Sequence, residues 1–153
     1  MAIGLSVSFS CAKKLYMNPY ADSAVVKHDA QGLVTLRGVS DEFTDNKKED
    51  GYSLAHSDAH KKALQHLFYM GFPGTDFKNP MIRKGKSIET EHKAFFDKFW
   101  KGDYKQFITN SKVSYYGCVD NKKCISAASE FQLNYNALRT ELERNKIINK
   151  VGF

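Results

Sequence analysis

The fold of this chain is decided by residues 129–149, which read SEFQLNYNALRTELERNKIIN. In the first part of this stretch, apolar residues alternate with polar ones, and the apolar ones are Phe131, Leu133 and Tyr135. Such a period of two is typical of a strand with one buried face. The pattern then becomes helical, because Leu138 and Leu142 are four residues apart and Asn136 is a favourable N-cap. The stretch therefore predicts a strand that runs directly into a helix.

A second strand is predicted just upstream, over residues 104–116, although its alternation is weaker. Residues 117–123 read as a turn with Asp120 and Asn121 at its tip. The return strand covers residues 125–135, so the two runs predict an antiparallel hairpin. Every second residue of the return strand is expected to face the core, namely Ile125, Ala127, Ser129, Phe131, Leu133 and Tyr135.

The first clear helix is predicted over residues 53–71. Its apolar residues recur at helical spacing and comprise Ala59, Ala63, Leu64, Leu67, Phe68 and Met70. Ser53 or Ser57 is expected to cap the start, and Gly71 to take the left-handed position after the last turn. The small side chains of Ala59 and Ala63 would allow this helix to lie close to a sheet.

A second helix is predicted over residues 88–101, with Ser87 at its start and Gly102 at its end. It carries a dense aromatic face made of Phe95, Phe96, Phe99 and Trp100. We expect these rings to be core, with one edge exposed to a partner. Residues 33–39, LVTLRGV, predict a further strand, whereas residues 15–31 have little periodicity and indicate a linker or an extended lead-in.

The order of elements predicts an α+β fold, a mostly antiparallel sheet with about three helices packed on one face. The expected division is residues 1–31 as a signal remnant or extended N-terminal segment and residues 32–153 as a single α+β domain.

A chain of 153 residues with 42% hydrophobic residues can bury a core. Its formal net charge of +6 would suit nucleic acid, an anionic membrane surface or an acidic partner. The basic residues are spread along the chain, however, which weakens the case for nucleic acid. No run reaches the roughly 18 apolar residues of a membrane-spanning helix. A cytosolic basic module that binds nucleic acid is kept as the alternative function.

Residues 1–11, MAIGLSVSFSC, form a short run of apolar and small residues that ends in Ser10 and Cys11. This run resembles the end of a bacterial lipoprotein signal peptide, in which the cysteine carries the lipid. The resemblance implies lipidation of Cys11 and anchoring in the cell envelope, in the periplasm or at the face of the outer membrane. The run has no basic n-region and is shorter than usual. Alternating apolar residues allow a second interpretation, a native first strand: Ile3, Leu5, Val7, Phe9 and Cys11.

The other two cysteines, Cys118 and Cys124, flank the predicted hairpin turn and could face each other across it. A disulfide there would contribute roughly 2 kcal/mol by restricting the unfolded chain. It would require an oxidising compartment, in agreement with export. Two reduced thiols in a cytosolic protein are the alternative. The spacing lacks the paired short knuckles of a zinc site.

Catalytic and metal-binding patterns are weak. His56 and His60 are four residues apart on a helix and could share a metal, but a third ligand would have to come from His28, His92 or a carboxylate elsewhere. Two solvent-facing histidines are the simpler expectation. The sequence contains no nucleophile elbow and no glycine-rich phosphate loop. We therefore expect a protein that is not an enzyme and that needs no metal or cofactor.

A loop rich in glycine and proline, residues 72–86, carries several basic residues and precedes the aromatic helix. Basic and aromatic side chains together can form a surface for a partner. The expected partner surface comprises Lys78, Arg83, Lys84, Lys86 and Trp100.

Four stretches carry a resemblance to a known family, namely residues 34–38 (VTLRG), 58–67, 107–116 and 131–142. Together they resemble small envelope lipoproteins whose fold is shared with the N-terminal domain of flagellar assembly protein T. The resemblance implies a bacterial envelope protein that acts in assembly or through contacts with other proteins. It implies no catalytic residues. The partner would be another, unidentified envelope protein.

Overall fold

The computed structural model describes residues 23–29, 31–46, 50–118 and 123–150. Within these ranges five strands and four α-helices form an α+β fold, which confirms the predicted fold class. The strands are β1 (Ala24–Asp29), β2 (Leu33–Val39), β3 (Phe43–Thr44), β4 (Ile108–Gly117) and β5 (Cys124–Asn134). The helices are α1 (Gly51–Tyr69), α2 (Ile88–Glu91), α3 (Lys93–Lys101) and α4 (Tyr135–Arg144), and 3-10 turns cover Gly85–Ser87 and Asp103–Phe107.

The centre of the sheet is β5, to which β2, β3 and β4 are all paired in antiparallel fashion. β2 and β3 follow one edge of β5, β4 follows the other, and β1 pairs with β2 at the outside. Leu36 lies opposite Phe131, and Val113 lies opposite Ser129. Because opposite residues share a face, these pairs define the side of the sheet that α1 covers.

The strand β1 is where the sequence predicts a linker or an extended lead-in. Its register against β2 shifts between Val25 and Lys27, and the side chain of Val26 is 50% exposed. This irregularity breaks the alternation by which a strand is recognised. Residues 24–29 therefore belong to the sheet, although they fall in the segment 1–31 that the sequence sets apart from the domain.

The predicted hairpin is confirmed, but β4 is shorter than expected. Asp103–Phe107 forms a 3-10 turn, and the ladder to β5 shifts between Thr109 and Lys112. Asn110 adopts a left-handed conformation (φ 50°) at this bulge. The extra residue changes which side chains face α1, which explains the weak alternation in the sequence.

The strand–helix unit at the end of the chain forms as the sequence predicts, with different boundaries. Phe131, Leu133, Leu138 and Leu142 are all fully buried. The N-cap is Asn134 rather than Asn136, and its side chain accepts a hydrogen bond from the backbone N–H of Ala137 at 3.0 Å. Tyr135 consequently begins the helix instead of ending the strand. The helix stops at Arg144, several residues before residue 149, where the predicted strand–helix stretch ends, and Lys146 is left-handed (φ 58°).

The long helix α1 is also confirmed with a corrected start. Asp50, not Ser53 or Ser57, provides the cap, accepting a hydrogen bond from the Ser53 N–H at 3.1 Å. Gly71 has the expected left-handed conformation (φ 75°). The apolar stripe is shorter than predicted, since Met70 is 66% exposed.

The core lies between α1 and the sheet, and α3 closes one end of it. Ala59 and Ala63 are fully buried, and Gly38 on β2 lies against them. The predicted second helix is broken at His92 into α2 and α3. On α3, Phe96 and Phe99 are buried, while Phe95 and Trp100 are half-buried at the edge of the core. No helix within the described ranges has the length and apolar character needed to cross a membrane.

Candidate functional site

The two cysteines Cys118 and Cys124 face each other at the end of the β4–β5 hairpin. Their Cα atoms are 5.3 Å apart and their sulfur atoms lie at disulfide distance, which confirms the predicted pairing. The backbone N–H of Cys118 also donates to the carbonyl of Cys124 at 3.3 Å. Both residues are buried. Cys11, the third cysteine, lies outside the described residues, as do both interpretations of residues 1–11.

The carboxylate of Glu42 lies beside this cysteine pair. Among the described residues, Glu42, Cys118 and Cys124 are the only group of three or more His, Cys, Asp or Glu side chains whose ligand atoms lie close together, within 4.8 Å. A thiolate is the form of cysteine that binds metals. Because the two sulfurs are paired with each other, this group is not available as a metal site in the oxidised protein.

A second constellation, the His–Ser cluster, joins α1 to the sheet and consists of His56, His60, Ser111 and Ser129. The Nε2 atom of His60 lies 3.0 Å from the Ser129 hydroxyl oxygen and 3.1 Å from that of Ser111. The Nε2 atom of His56 lies 3.0 Å from the same Ser111 oxygen. The two serine oxygens are themselves 3.1 Å apart. Two imidazoles and two hydroxyls thus form one hydrogen-bonded group.

The surroundings of the His–Ser cluster lower the pKa of both imidazoles. Burial is the main reason that the pKa of His60 falls to about 3, and electrostatic interactions with His56 and Lys105 make smaller contributions. Burial, followed by the charge of Lys105, also lowers the pKa of His56. The ring of His60 packs against Phe131, with centroids 4.4 Å apart. A proton on His60 would therefore be held in an apolar setting without a counter-charge.

The expectation that both histidines face solvent is wrong, because His60 is buried and His56 is half-buried against β4. Among the described residues, neither His28, His92 nor a carboxylate joins His56 and His60 in a group whose ligand atoms lie within 4.8 Å of one another. A serine within reach of an imidazole is the spacing of a nucleophile and its base. Within the described ranges, however, neither imidazole of the cluster contacts a carboxylate, the group that orients the base in a catalytic triad. The geometry fits a polar link between α1 and the sheet.

Only part of this cluster could be read from the sequence. Ser129 is on the predicted core face of β5, and a polar residue in such a row needs a partner. Ser111 gives no comparable signal. It reaches α1 only because the bulge after Thr109 changes the direction of the side chains on β4.

The five residues of the expected partner surface are separated in the structure. Arg83 and Lys84 line one groove, of about 520 Å³, at the C-terminal side of the loop. Lys78 borders a different cavity beside His28. Trp100 lies over a third one, formed by α2 and α3. Lys86 is exposed in the 3-10 turn that precedes α2.

Trp100 is held in place by Glu89 on α2. The indole N–H of Trp100 donates to the Glu89 carboxylate at 3.0 Å, and the hydroxyl of Tyr69 donates to the same oxygen at 2.6 Å. Burial, followed by the hydrogen bond between the Tyr69 hydroxyl and Glu89, raises the pKa of Tyr69. The carboxylate of Glu89 therefore connects α1, α2 and α3, and Trp100 is one of the two side chains that bind it.

Comparisons of the chain with family models, with curated proteins and with solved structures find no match.

Proposed function

We propose that this chain is an exported protein of the bacterial cell envelope that is anchored by a lipid on Cys11 and acts, without catalysis, through contacts with other proteins. The observation that carries the proposal is the pairing of Cys118 and Cys124 across the hairpin. Structural disulfides persist in oxidising compartments such as the periplasm and are rare in the cytosol. The Ser10–Cys11 junction and the resemblance of four stretches to small envelope lipoproteins support the same location.

The hydrogen bonding of the His–Ser cluster supports the part of the proposal that excludes catalysis. In the described part of the chain, no buried side-chain nitrogen or oxygen lacks a hydrogen-bond partner. The cluster is satisfied internally, and it links α1 to β4 and β5. Its polar atoms therefore have a structural role that requires neither a substrate nor a metal.

Thiol trapping in cells of the native host tests the export half of the proposal. Cells are lysed under denaturing conditions with a maleimide reagent that adds mass, before and after reduction. We expect Cys118 and Cys124 to react only after reduction, and a Cys118→Ser/Cys124→Ser variant to show no change with reduction. Free thiols at both positions without reduction would contradict export.

Mass spectrometry of the mature N-terminus tests the anchor separately. We expect a diacylglyceryl-modified Cys11 at the first position, and a Cys11→Ser variant that no longer partitions with membranes. An unmodified Cys11 inside an intact N-terminal segment would contradict lipidation.

The nucleic-acid alternative is tested by retention on DNA and RNA columns. Binding that weakens steeply with added salt would favour the alternative, and no retention at low salt would eliminate it.

A further inference from the structure

The groove lined by Arg83 and Lys84 is built from two parts of the chain that are distant in sequence. One wall is the loop of residues 76–84, and the other is α4 with the segment of residues 147–150 that follows it. The groove has a volume of about 520 Å³. Its apolar lining includes Phe77 and Ile147, which are buried, and Met81 and Ile148, which are half-buried. We call it the basic groove.

The charges around the basic groove are unequal. Among the described residues that line it, four are cationic and only Asp76 carries a carboxylate; the cations are Arg83, Lys84, Arg139 and Lys150. Asp76 is already bound to His28. Lys84 is paired with Glu91, and Arg139 with Glu143. Within the described ranges Arg83 and Lys150 have no acidic partner, so two cations without a described counter-charge border a concavity whose lining is partly apolar.

We propose that the basic groove binds an acidic segment of a partner protein, one whose aspartate or glutamate side chains alternate with apolar ones. This inference rests on the proposed function, since it names the chemistry of the protein contact. The carboxylates pair with Arg83 and Lys150, and the apolar side chains rest on Met81 and Ile148. An arginine can bind a carboxylate through two parallel hydrogen bonds, so the contact is geometrically specific as well as electrostatic.

Two further features favour a peptide over other anions. The amide side chains of Asn79 and Asn149 also line the basic groove, and an amide can both donate to and accept from a peptide backbone. The basic groove is concave, and its lining includes the half-buried side chains of Met81 and Ile148, on which apolar side chains of a bound segment can rest. A free phosphate would leave the apolar lining uncovered.

The test uses the full chain in its oxidised form and a short fluorescein-labelled peptide in which aspartate alternates with leucine. Binding is followed by fluorescence anisotropy. The same peptide with asparagine in place of aspartate is the control ligand. The variant is Arg83→Glu/Lys150→Glu, and its matched control is Lys101→Glu/Lys105→Glu. The control changes the net charge equally, at two exposed lysines that do not line the groove.

We expect the aspartate peptide to bind the native protein and the asparagine peptide to bind at least about tenfold more weakly. Arg83→Glu/Lys150→Glu should weaken binding by about tenfold or more, and the control variant by no more than about twofold. If both variants weaken binding equally, the attraction is diffuse charge and the proposal is overturned. Equal binding of both peptides overturns it as well.

Co-sedimentation with vesicles of phosphatidylcholine and phosphatidylglycerol tests whether the basic groove binds lipid instead of a peptide. Vesicle binding that is lost in the groove variant, with no binding of the aspartate peptide, would assign the basic groove to lipid and overturn the proposal. Thermal melts show whether the variants fold; should the charge reversal unfold the chain, Arg83→Gln replaces it. If the peptide does not bind but the cysteines are oxidised in cells, only the proposal for the basic groove is overturned. If the peptide binds but the cysteines are reduced in cells, only the export proposal is overturned.

Discussion

Gly38 on β2 lies directly against the backbone carbonyl of Ala59 on α1, with no space for a side chain between them. A Cβ atom at Gly38 would overlap the Ala59 carbonyl oxygen and would lie 3.1 Å from the Cβ of Ala63. The helix and the sheet therefore approach each other as closely as a glycine facing alanines allows. Backbone atoms line the contact, so a flexible side chain cannot move aside to relieve an overlap.

We expect Gly38→Ala to destabilise the protein by about 1–3 kcal/mol, the usual cost of overpacking a core. Urea unfolding monitored by circular dichroism measures the change. Gly117→Ala is the matched control, because a Cβ at Gly117 meets nothing within 4 Å and the residue is also in a strand. Equal stabilities for the two variants would mean that α1 can move away from the sheet at no cost.

The close approach of α1 to the sheet is a feature that the sequence predicts, because Ala59 and Ala63 are small residues in an otherwise large apolar stripe. The strand–helix unit was predictable for a similar reason. Its period changes from two to about four at a definite point, and burial of Leu138 and Leu142 follows directly. Boundaries were less predictable, since Asn134 and Asn136 are equally good caps by residue type.

What could not be predicted depends on bulges and on contacts between distant parts of the chain. β1 was missed because its register shifts after Val25, and Ser111 because a bulge directs it toward α1. The basic groove joins Arg83 to Lys150, and no local pattern relates residues so far apart in sequence. Periodicity reports one element at a time, whereas these features come from how elements are joined.

The hydrogen bonds to the Glu89 carboxylate predict that removing this carboxylate lowers the free energy of unfolding. Removing it in Glu89→Ala leaves the hydroxyl of Tyr69 and the indole N–H of Trp100 without their acceptor. Donors left unsatisfied in a partly buried site cost about 1–3 kcal/mol. We expect a loss of that size in urea unfolding, together with a shift in the emission of Trp100, the single tryptophan of the chain.

Glu91→Ala is the matched control for this change, because it removes a carboxylate from the same helix. The ion pair of Glu91 with Lys84 is exposed, and exposed pairs contribute about 0–1 kcal/mol. Its emission spectrum should stay that of the native protein. A loss of stability in Glu91→Ala as large as that in Glu89→Ala would contradict a specific role for Glu89.

The cysteine pair predicts that the stability of the protein depends on redox conditions. Reduction of a bond that closes so short a loop should cost about 2 kcal/mol, because the unfolded chain regains freedom. Thermal melts with and without a phosphine reductant measure the change. Cys118→Ser/Cys124→Ser should melt like the reduced protein and should not respond to the reductant. A native protein whose melting is unaffected by complete reduction would refute the stabilising role.

The buried imidazole of His60 predicts how stability changes with pH. Its pKa is about 3 in the folded protein, against about 6.5 in an unfolded chain. Above pH 6.5 the residue is neutral in both states, so its contribution to stability is fully present there. As the pH falls from about 6.5 toward 3, the unfolded chain binds a proton that the folded protein does not. The free energy of unfolding should then fall by about 1.4 kcal/mol per pH unit from this residue alone.

Urea unfolding between about pH 7 and pH 5, where most carboxylates remain ionised, separates the contribution of the histidines from that of the carboxylates. The lowered pKa of His56 adds to the loss in the same direction. His60→Gln retains a polar atom that can bond to the Ser129 hydroxyl but cannot take up the proton. It should therefore reduce the slope by about one proton, and His56→Gln should reduce it by less because His56 is only half-buried. If His60→Gln keeps the native slope, His60 is not neutral in the folded protein, and its contacts with Ser111 and Ser129 must accommodate a charge.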